Sequence, residues 1–330
     1  MDQNQVLIEI QGLKKNFITA KPFTGKPLKT VHAVENVSLR IYKGETLGVV
    51  GESGCGKSTL GRSILRLVEP TQGHIFYQGT DITTYSKEQM RQMRKKLQLI
   101  FQDPYASLNP RMTVLELIKA PLDAFHIGSS AEKIAKVKEI MELVGMPEKM
   151  MNRYPHEFSG GQRQRIVIAR ALVLNPEFVV CDEPVSALDV SVRAQVLNLL
   201  QELKRKKELT YLFISHDLSV VKYVSDRIAV TYLGQVVEIA DKKELYNNPC
   251  HPYTQALLSA IPIPDVDSTM KRVVLSGDVP SPINPPSGCR FHTRCKWATE
   301  KCKTTCPQLK TVEGSHAVAC HLFEEKEGLD

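Results

Sequence analysis

Gly51 to Thr59, the stretch GESGCGKST, satisfies the pattern G-x-x-x-x-G-K-[ST], with Gly51, Gly56, Lys57 and Ser58 at the fixed positions. The run Glu45 to Val50 before it (ETLGVV) reads as a short buried strand. Thr59 to Val68 after it reads as a helix, with Leu60, Ile64, Leu65 and Val68 apolar. A strand, a glycine-rich turn and a helix N-terminus make a cradle for phosphate. Backbone N–H groups and the positive end of the helix dipole face the anion, Lys57 neutralises it, and the Ser58 hydroxyl is placed to reach Mg²⁺. Ser53, Gly54, Cys55 and Thr59 complete the expected nucleotide-contacting loop; Cys55 stands where the pattern accepts any residue.

Working outward, residues 6–10 (VLIEI) and 31–42 (VHAVENVSLRIY) alternate like strands, and 74–79 (HIFYQG) gives another strand ending at a turn glycine. Together they predict an antiparallel flap beside a main parallel sheet. Residues 97–101 (LQLIF) form an apolar strand ending at Gln102. Between Pro104 and Asn175 the pattern is mostly helical, with apolar spacing at 114–119 and 132–144 and a helix beginning near Ser159. Residues 178–181 (FVVC) and 210–215 (TYLFIS) are fully apolar strands flanking a helix at 190–207, and 227–239 reads as a hairpin turning at Gly234. Strand–helix alternation with fully apolar strands predicts an α/β fold with a largely parallel sheet. Past Asn248 the prolines 262, 264, 280, 282, 285 and 286 break regular structure and cysteines accumulate. A boundary is therefore expected near Tyr246 to Pro249, separating a nucleotide-binding domain (1–248) from an extension (249–330).

The chain has 330 residues, 42% apolar and 24% charged, ordinary for a globular protein. No run approaches the roughly 20 apolar residues that span a bilayer, and MDQNQVLIEIQ lacks the order of a signal peptide. The expectation is a cytosolic chain that meets a membrane through partners. The net charge of +7 is scattered, densest at Arg91 to Lys96 and Lys204 to Lys207, which read as solvated helix faces rather than a nucleic-acid surface.

Two carboxylates, Asp182 and Glu183, follow the strand FVVC. Beside a phosphate loop the first fits a Mg²⁺ ligand and the second fits a group that orients or deprotonates the attacking water. Upstream lies Phe158-Ser-Gly-Gly-Gln162. A helix starting at Ser159 exposes N–H groups and a positive dipole end suited to a γ-phosphate, and Gly160 and Gly161 allow close backbone approach.

FSGGQ followed by an apolar strand ending in Asp-Glu resembles the signature of ATP-binding cassette (ABC) ATPases. The rest of the family's set stands in order. Gln102 in FQDP looks like the Q-loop glutamine, Ser186-Ala-Leu-Asp189 like the D-loop, and His216 like the switch histidine. Phe17 in LKKNF is the candidate for the aromatic that stacks on adenine. The resemblance implies a P-loop NTPase, with a RecA-like parallel core, an antiparallel β flap and a helical subdomain at about 104–175. It implies ATP at the phosphate loop, Mg²⁺ on Ser58, Gln102 and Asp182, and catalysis by Glu183, His216 and Gln102. It also implies that Ser159, Gly160, Gly161, Gln162 and Asp189 complete the ATP site of a second ATPase domain. This chain has one phosphate loop and one signature, so the resemblance implies a dimer with ATP sandwiched between domains.

QDPYASLNPRMTV (102–114), His251-Pro-Tyr-Thr-Gln-Ala-Leu-Leu-Ser-Ala-Ile-Pro262, PSPINPPSGCRFHTRC (280–295) and HAVACH (316–321) are similar to segments of the ATPases of bacterial dipeptide and oligopeptide permeases. That narrower resemblance covers nearly the whole chain. It implies an ATPase at the cytoplasmic face of the cell membrane that energises peptide import. Its implied partners are a sister ATPase forming a heterodimer, two transmembrane permease subunits docking near 104–114, and an extracytoplasmic solute-binding protein. Alternatives are import of nickel or another small solute, or a soluble ABC ATPase acting on nucleic acid or ribosomes. Coiled-coil insertions or a second ATPase domain, usual in that last class, are absent from the sequence.

Five cysteines crowd the tail with spacing C-x5-C-x6-C-x3-C and then thirteen residues to Cys320. This is neither zinc-finger nor ferredoxin spacing. The family resemblance implies a [4Fe–4S] cluster on Cys289, Cys295, Cys302 and Cys320, with Cys306 as alternate. Zinc on the same thiolates and unligated thiols remain alternatives. Cys181 reads as a small core residue, and Cys250 has no assigned role.

Overall fold

The computed structural model describes residues 5–18, 29–261, 273 and 275–323. Pro262 and Pro264 lie outside the described residues. The chain divides into two compact units: one of residues 6–41, 46–83 and 214 onward, the other of 42–45 and 84–213.

The first unit opens with the strands β1 (Val6–Ile18) and β2 (Thr30–Tyr42), then β3 (Thr46–Val50), helix α1 (Lys57–Ile64), β4 (Gln72–Tyr77) and the short β5 (Thr80–Asp81). The predicted antiparallel flap is present as a four-stranded sheet in the order β2-β1-β4-β5, with β1 and β5 both antiparallel to β4. β1 runs well beyond the five residues its alternation suggested. Pairing continues through a register shift between Gln11 and Lys14, so the extra length carries no clean period-two pattern. All five residues of β3 are buried, the polar Thr46 among them.

The second unit begins at α2 (Lys87–Met93) and β6 (Leu97–Ile100). Helices α3 (Pro104–Ser107), α4 (Val114–Ala124), α5 (Ser130–Leu143) and α6 (Gly160–Leu172) follow, then β7 (Phe178–Asp182), α7 (Val190–Lys207) and β8 (Thr210–Ser215), the last crossing out of the unit after Phe213. Helices α4 and α5 start at capping boxes, Thr113 with Glu116 and Ser129 with Glu132, which satisfy the first free N–H groups. The apolar stripes of α4 and α5 meet α6, the central helix, which buries Ile166, Val167 and Ile168. β6 and β7 are parallel neighbours, Ile100 opposite Cys181, in the order β8-β7-β6. Both therefore end on the same edge, delivering Gln102 and Asp182 there.

The chain then returns to the first unit with α8 (Leu218–Val224), β9 (Arg227–Tyr232), β10 (Gln235–Asp241), α9 (Lys242–Asn247) and α10 (Pro252–Ser259). The small elements α11 (Glu300–Thr304), β11 (Lys310–Glu313) and β12 (His316–Val318) complete it. β9 runs parallel to β3 and β10 antiparallel to β9. The predicted hairpin turns at Leu233 (φ 44°) and Gly234 (φ 80°), two left-handed residues in the pattern of a type I′ turn. β12 pairs with β10 and β11 with β12, so the tail extends this sheet edge. Tyr253, Leu258 and Phe291, all beyond residue 248, join Val50, Val230, Tyr232 and Leu245 in one core.

Candidate functional site

In the first unit the phosphate loop leads from β3 into α1, with Gly56 at the helix N-cap in a left-handed conformation, φ 93°. A Cβ there would also collide with the Ala33 carbonyl, so this position requires glycine on two counts. Lys57 is buried, and its ammonium donates to the carbonyls of Gly51 at 2.7 Å and Glu52 at 3.0 Å. It thus spans the loop it would share with a phosphate. The Cys55 thiol lies 3.2 Å from the Thr231 hydroxyl, and the Cys55 carbonyl accepts from Gly234 N–H. Ser58 and Thr59 are half-buried, while Ser53 and Gly54 face solvent. Phe17 is 40% exposed with the Lys15 ammonium 4.9 Å from its ring centre. His216, exposed, follows the end of β8; beside it Asp217 N–H donates to Ser215 Oγ, and the Asp217 carboxylate caps α8.

In the second unit Asp182 ends β7 almost fully buried, and the next residue, Glu183, takes a left-handed backbone with φ 47°. For a glutamate that conformation costs about 1–3 kcal/mol and is held by its surroundings. Here Ser186 N–H and Oγ both donate to the Glu183 carbonyl. Its carboxylate accepts from Gln102 Nε2 at 2.9 Å, so two of the three residues read as catalytic lie in contact. The signature segment is the start of α6. Ser159 Oγ accepts from Gln162 N–H, and Gln162 Oε1 accepts from Ser159 N–H, a closed capping box. The first-turn N–H groups at Gly160 and Gly161 have no acceptor within their own helix. Gly161 packs against α7, since a Cβ there would collide with Val192. Asp189 caps α7; the Val192 N–H, then the Ser191 hydroxyl, hold its carboxyl below the usual range. Cys181 is fully buried in β7, and burial pushes its thiol well up, so it is an inert core residue.

A phosphate loop with a buried lysine, an acid pair after a buried strand, and a glycine-led helix capped by serine are therefore all formed. Residues 34–186 match the family described as ABC transporter, and residues 237–302 match the C-terminal region of oligopeptide/dipeptide transporters. The oligopeptide transport ATP-binding protein AppF of Bacillus subtilis is 52% identical over 97% of this chain and 98% of its own length. OppF of Salmonella typhimurium, similarly described, is 53% identical over 97% of each chain. The chain belongs to the ABC transporter ATPases of the oligopeptide/dipeptide permease family. Among solved structures, a dimeric ABC cassette bound to ADP and phosphate superposes with a TM-score of 0.63 at 28% identity, covering 72% of this chain and 99% of that one. The chain is accordingly an ATPase. No helix among the described residues is long and apolar enough to cross a membrane.

The tail of this transporter ATPase brings four of its thiols into electrostatic reach. Burial, then the neighbouring Cys302, Cys320 and Cys295, push Cys289 up to about 12. Burial, then Cys295 and Cys302, push Cys320 up to about 11, and Cys295 is raised as well. Cys306 stands apart, its sulfur 3.5 Å from Gln235 Nε2. Beside these thiols is a buried polar knot whose one trace in the sequence is a glutamate inside the apolar run VVEIA. Glu238 of β10, with no exposed surface, accepts from the N–H groups of Cys250 (2.7 Å) and His251 (2.9 Å) and pairs with His316 Nε2 at 2.7 Å. The pairing with Glu238 raises His316, while burial lowers His251 to about 4. Glu238, Cys250 and His316 are the one group of metal-ligand type within 4.8 Å of one another among the described residues. The carboxylate already accepts three hydrogen bonds, so the trio works as a fastener of β12 and α10 to β10.

Proposed function

We propose that this chain is the ATP-hydrolysing subunit that drives peptide import through a membrane permease. The observation that carries the reading is the tail. Residues 237–302 match the oligopeptide/dipeptide transporter C-terminal region, on a chain similar end to end to oligopeptide transport ATP-binding proteins. ATP is held by Gly51, Ser53, Gly54, Cys55, Gly56, Lys57, Ser58 and Thr59, with Phe17 offering an exposed ring to adenine. Ser58, Gln102 and Asp182 supply the oxygen donors that suit a hard cation such as Mg²⁺. Glu183, held by Gln102, accepts the proton of the attacking water, and His216 stabilises the γ-phosphate. Ser159, Gly160, Gly161, Gln162 and Asp189 act on ATP bound by a partner. That part is supported by the description of the similar solved cassettes as dimers, one of them with ADP and phosphate. The partner is a sister ATPase, and two permease subunits dock near residues 104–114, with a solute-binding protein outside the membrane. Affinity purification of the tagged chain from detergent-solubilised membranes tests this directly. Two integral membrane proteins and a second ATPase are expected; recovery of ribosomes or nucleic acid instead would refute it.

The four thiols fit an iron–sulfur centre. Burial and neighbouring thiols push Cys289, Cys295 and Cys320 toward the neutral form, and a bound cation would drive their deprotonation. Cys289, Cys295, Cys302 and Cys320 would hold a [4Fe–4S] centre whose contribution is to tie the tail together, since ATP hydrolysis requires no electron.

A further inference from the structure

Between the thiols of Cys289 and Cys295 runs a short strap, Arg290-Phe-His-Thr-Arg294, anchored at three places and reaching the phosphate loop at one of them. Arg290 donates to the Leu233 carbonyl and pairs with Glu35 at 3.3 Å. Phe291, 1% exposed, packs edge-on against Tyr232 at 5.2 Å and at a tilt against Tyr253 at 5.5 Å. Arg294 pairs with Glu52 of the phosphate loop at 2.9 Å, with 8% of its own side chain exposed. Glu52 is in fact held at every polar group. Its carboxylate is paired by Arg294, its N–H donates to the Tyr253 hydroxyl at 2.9 Å, and its carbonyl accepts from Lys57 at 3.0 Å. A carboxylate inside a phosphate cradle is an electrostatic conflict, because its charge repels the anion that Lys57 attracts. The Arg294 guanidinium, buried beside it, cancels that charge.

We propose that Arg294 is a positioning residue for nucleotide binding, acting from the cysteine-rich tail by neutralising and orienting Glu52 of the phosphate loop. The inference rests on the ATPase assignment and is independent of what the thiols hold. A purely structural clamp and a charge-cancelling one differ in sign. If Arg294 only braces the loop, removing either partner weakens ATP binding. If it cancels Glu52, removing Arg294 weakens binding, whereas removing Glu52 leaves an uncompensated cation that favours ATP.

The test is equilibrium binding of a fluorescent ATP analogue to the full-length chain, with ATPase KM and kcat and metal content measured on the same preparations. Arg294→Gln should weaken nucleotide binding and raise KM about tenfold, with kcat nearly unchanged, as expected for one unpaired charge beside the phosphates. Arg294→Lys should restore most of the affinity, Glu52→Gln should bind at least as tightly as wild type, and the double variant should lie close to wild type. The Arg294→Gln loss should shrink in about 1 M salt, where exposed charges are screened. Weaker binding by Glu52→Gln, or unchanged binding by Arg294→Gln, would overturn the proposal; so would metal loss accompanying the affinity loss, which would mean the strap had unfolded. If Arg294→Gln does not fold, the sign of the Glu52→Gln effect still decides. Wild-type protein that binds no nucleotide would contradict the ATPase assignment instead, and wild-type protein free of metal would contradict only the cluster.

Discussion

Replacing Glu183 by glutamine separates chemistry from binding in this ATPase. Glutamine is nearly isosteric and keeps one carbonyl oxygen, so the 2.9 Å hydrogen bond from Gln102 Nε2 can persist. The left-handed backbone at φ 47° is held by Ser186 through the Glu183 carbonyl, which the substitution does not touch. The side chain is only half-buried, so the stability change should stay within about 0.5 kcal/mol, typical of a surface site. What is lost is the base: an amide cannot take the proton of the attacking water. General-base catalysis contributes about 10²–10⁴-fold, which at 1.36 kcal/mol per decade raises the barrier by roughly 3–5 kcal/mol. The assay is steady-state phosphate release beside equilibrium ATP binding and thermal unfolding. Turnover should fall at least a hundredfold, with ATP affinity within about threefold of wild type. Turnover within tenfold of wild type would remove Glu183 from the catalytic role. A collapse of ATP affinity would show that its part is binding.

Gly161→Ala places a Cβ against Val192 and should destabilise the chain by about 1–3 kcal/mol through overpacking, read as a lower urea midpoint; an unchanged midpoint would contradict the α6–α7 contact. The His316–Glu238 pair sets a pH dependence. Because the folded His316 is raised, its stabilisation is complete below the unfolded value of 6.5 and disappears as pH climbs through the raised value. His251, lowered to about 4, acts in the opposite sense, removing stability as pH falls from 6.5 toward 4. Thermal midpoints of wild type and His316→Asn between about pH 6.5 and 9 should therefore converge with rising pH, and parallel curves would refute the coupling. Anaerobically purified protein should be brown, with broad absorbance near roughly 400 nm that Cys302→Ser abolishes; a colourless protein with one zinc per chain would refute the cluster.

The sequence exposed those parts of the fold whose causes are local. β7, α7, β8 and the β9–β10 hairpin stand where apolar runs and the Gly234 turn put them, because period and turn chemistry act over a few residues. The phosphate loop and the serine-capped α6 were legible for the same reason. By contrast, the Arg294–Glu52 pair joins residues 242 apart in sequence, and Glu238 meets His316 across 78. No periodicity encodes such pairs. The one trace of the second was a glutamate inside an otherwise apolar strand, VVEIA, which a reading for buried charge would have flagged as needing a partner. Nothing in the sequence marked the left-handed Glu183 either, since the strain is imposed by the turn that Ser186 closes.

The composition change near residue 248 and the packing of the chain mark different things. Prolines and cysteines shift there because the chain leaves regular strands and helices, yet the core does not end. Tyr253 and Phe291 are each buried to within 1% among Val50, Val230 and Tyr232, side chains of the strands that also position the phosphate loop. A chain cut at 248 would therefore strip two aromatic side chains from that core. Each Phe or Tyr truncation in a core typically costs about 3–5 kcal/mol, a large part of the 5–15 kcal/mol that holds most domains folded. It would also remove the hydroxyl that holds Glu52 N–H and the guanidinium that holds its carboxylate. A tail whose sole task was to contact other subunits would not need these attachments. Because Tyr253 and Arg294 hold Glu52 of the phosphate loop, loss of the tail should weaken nucleotide binding as well as stability.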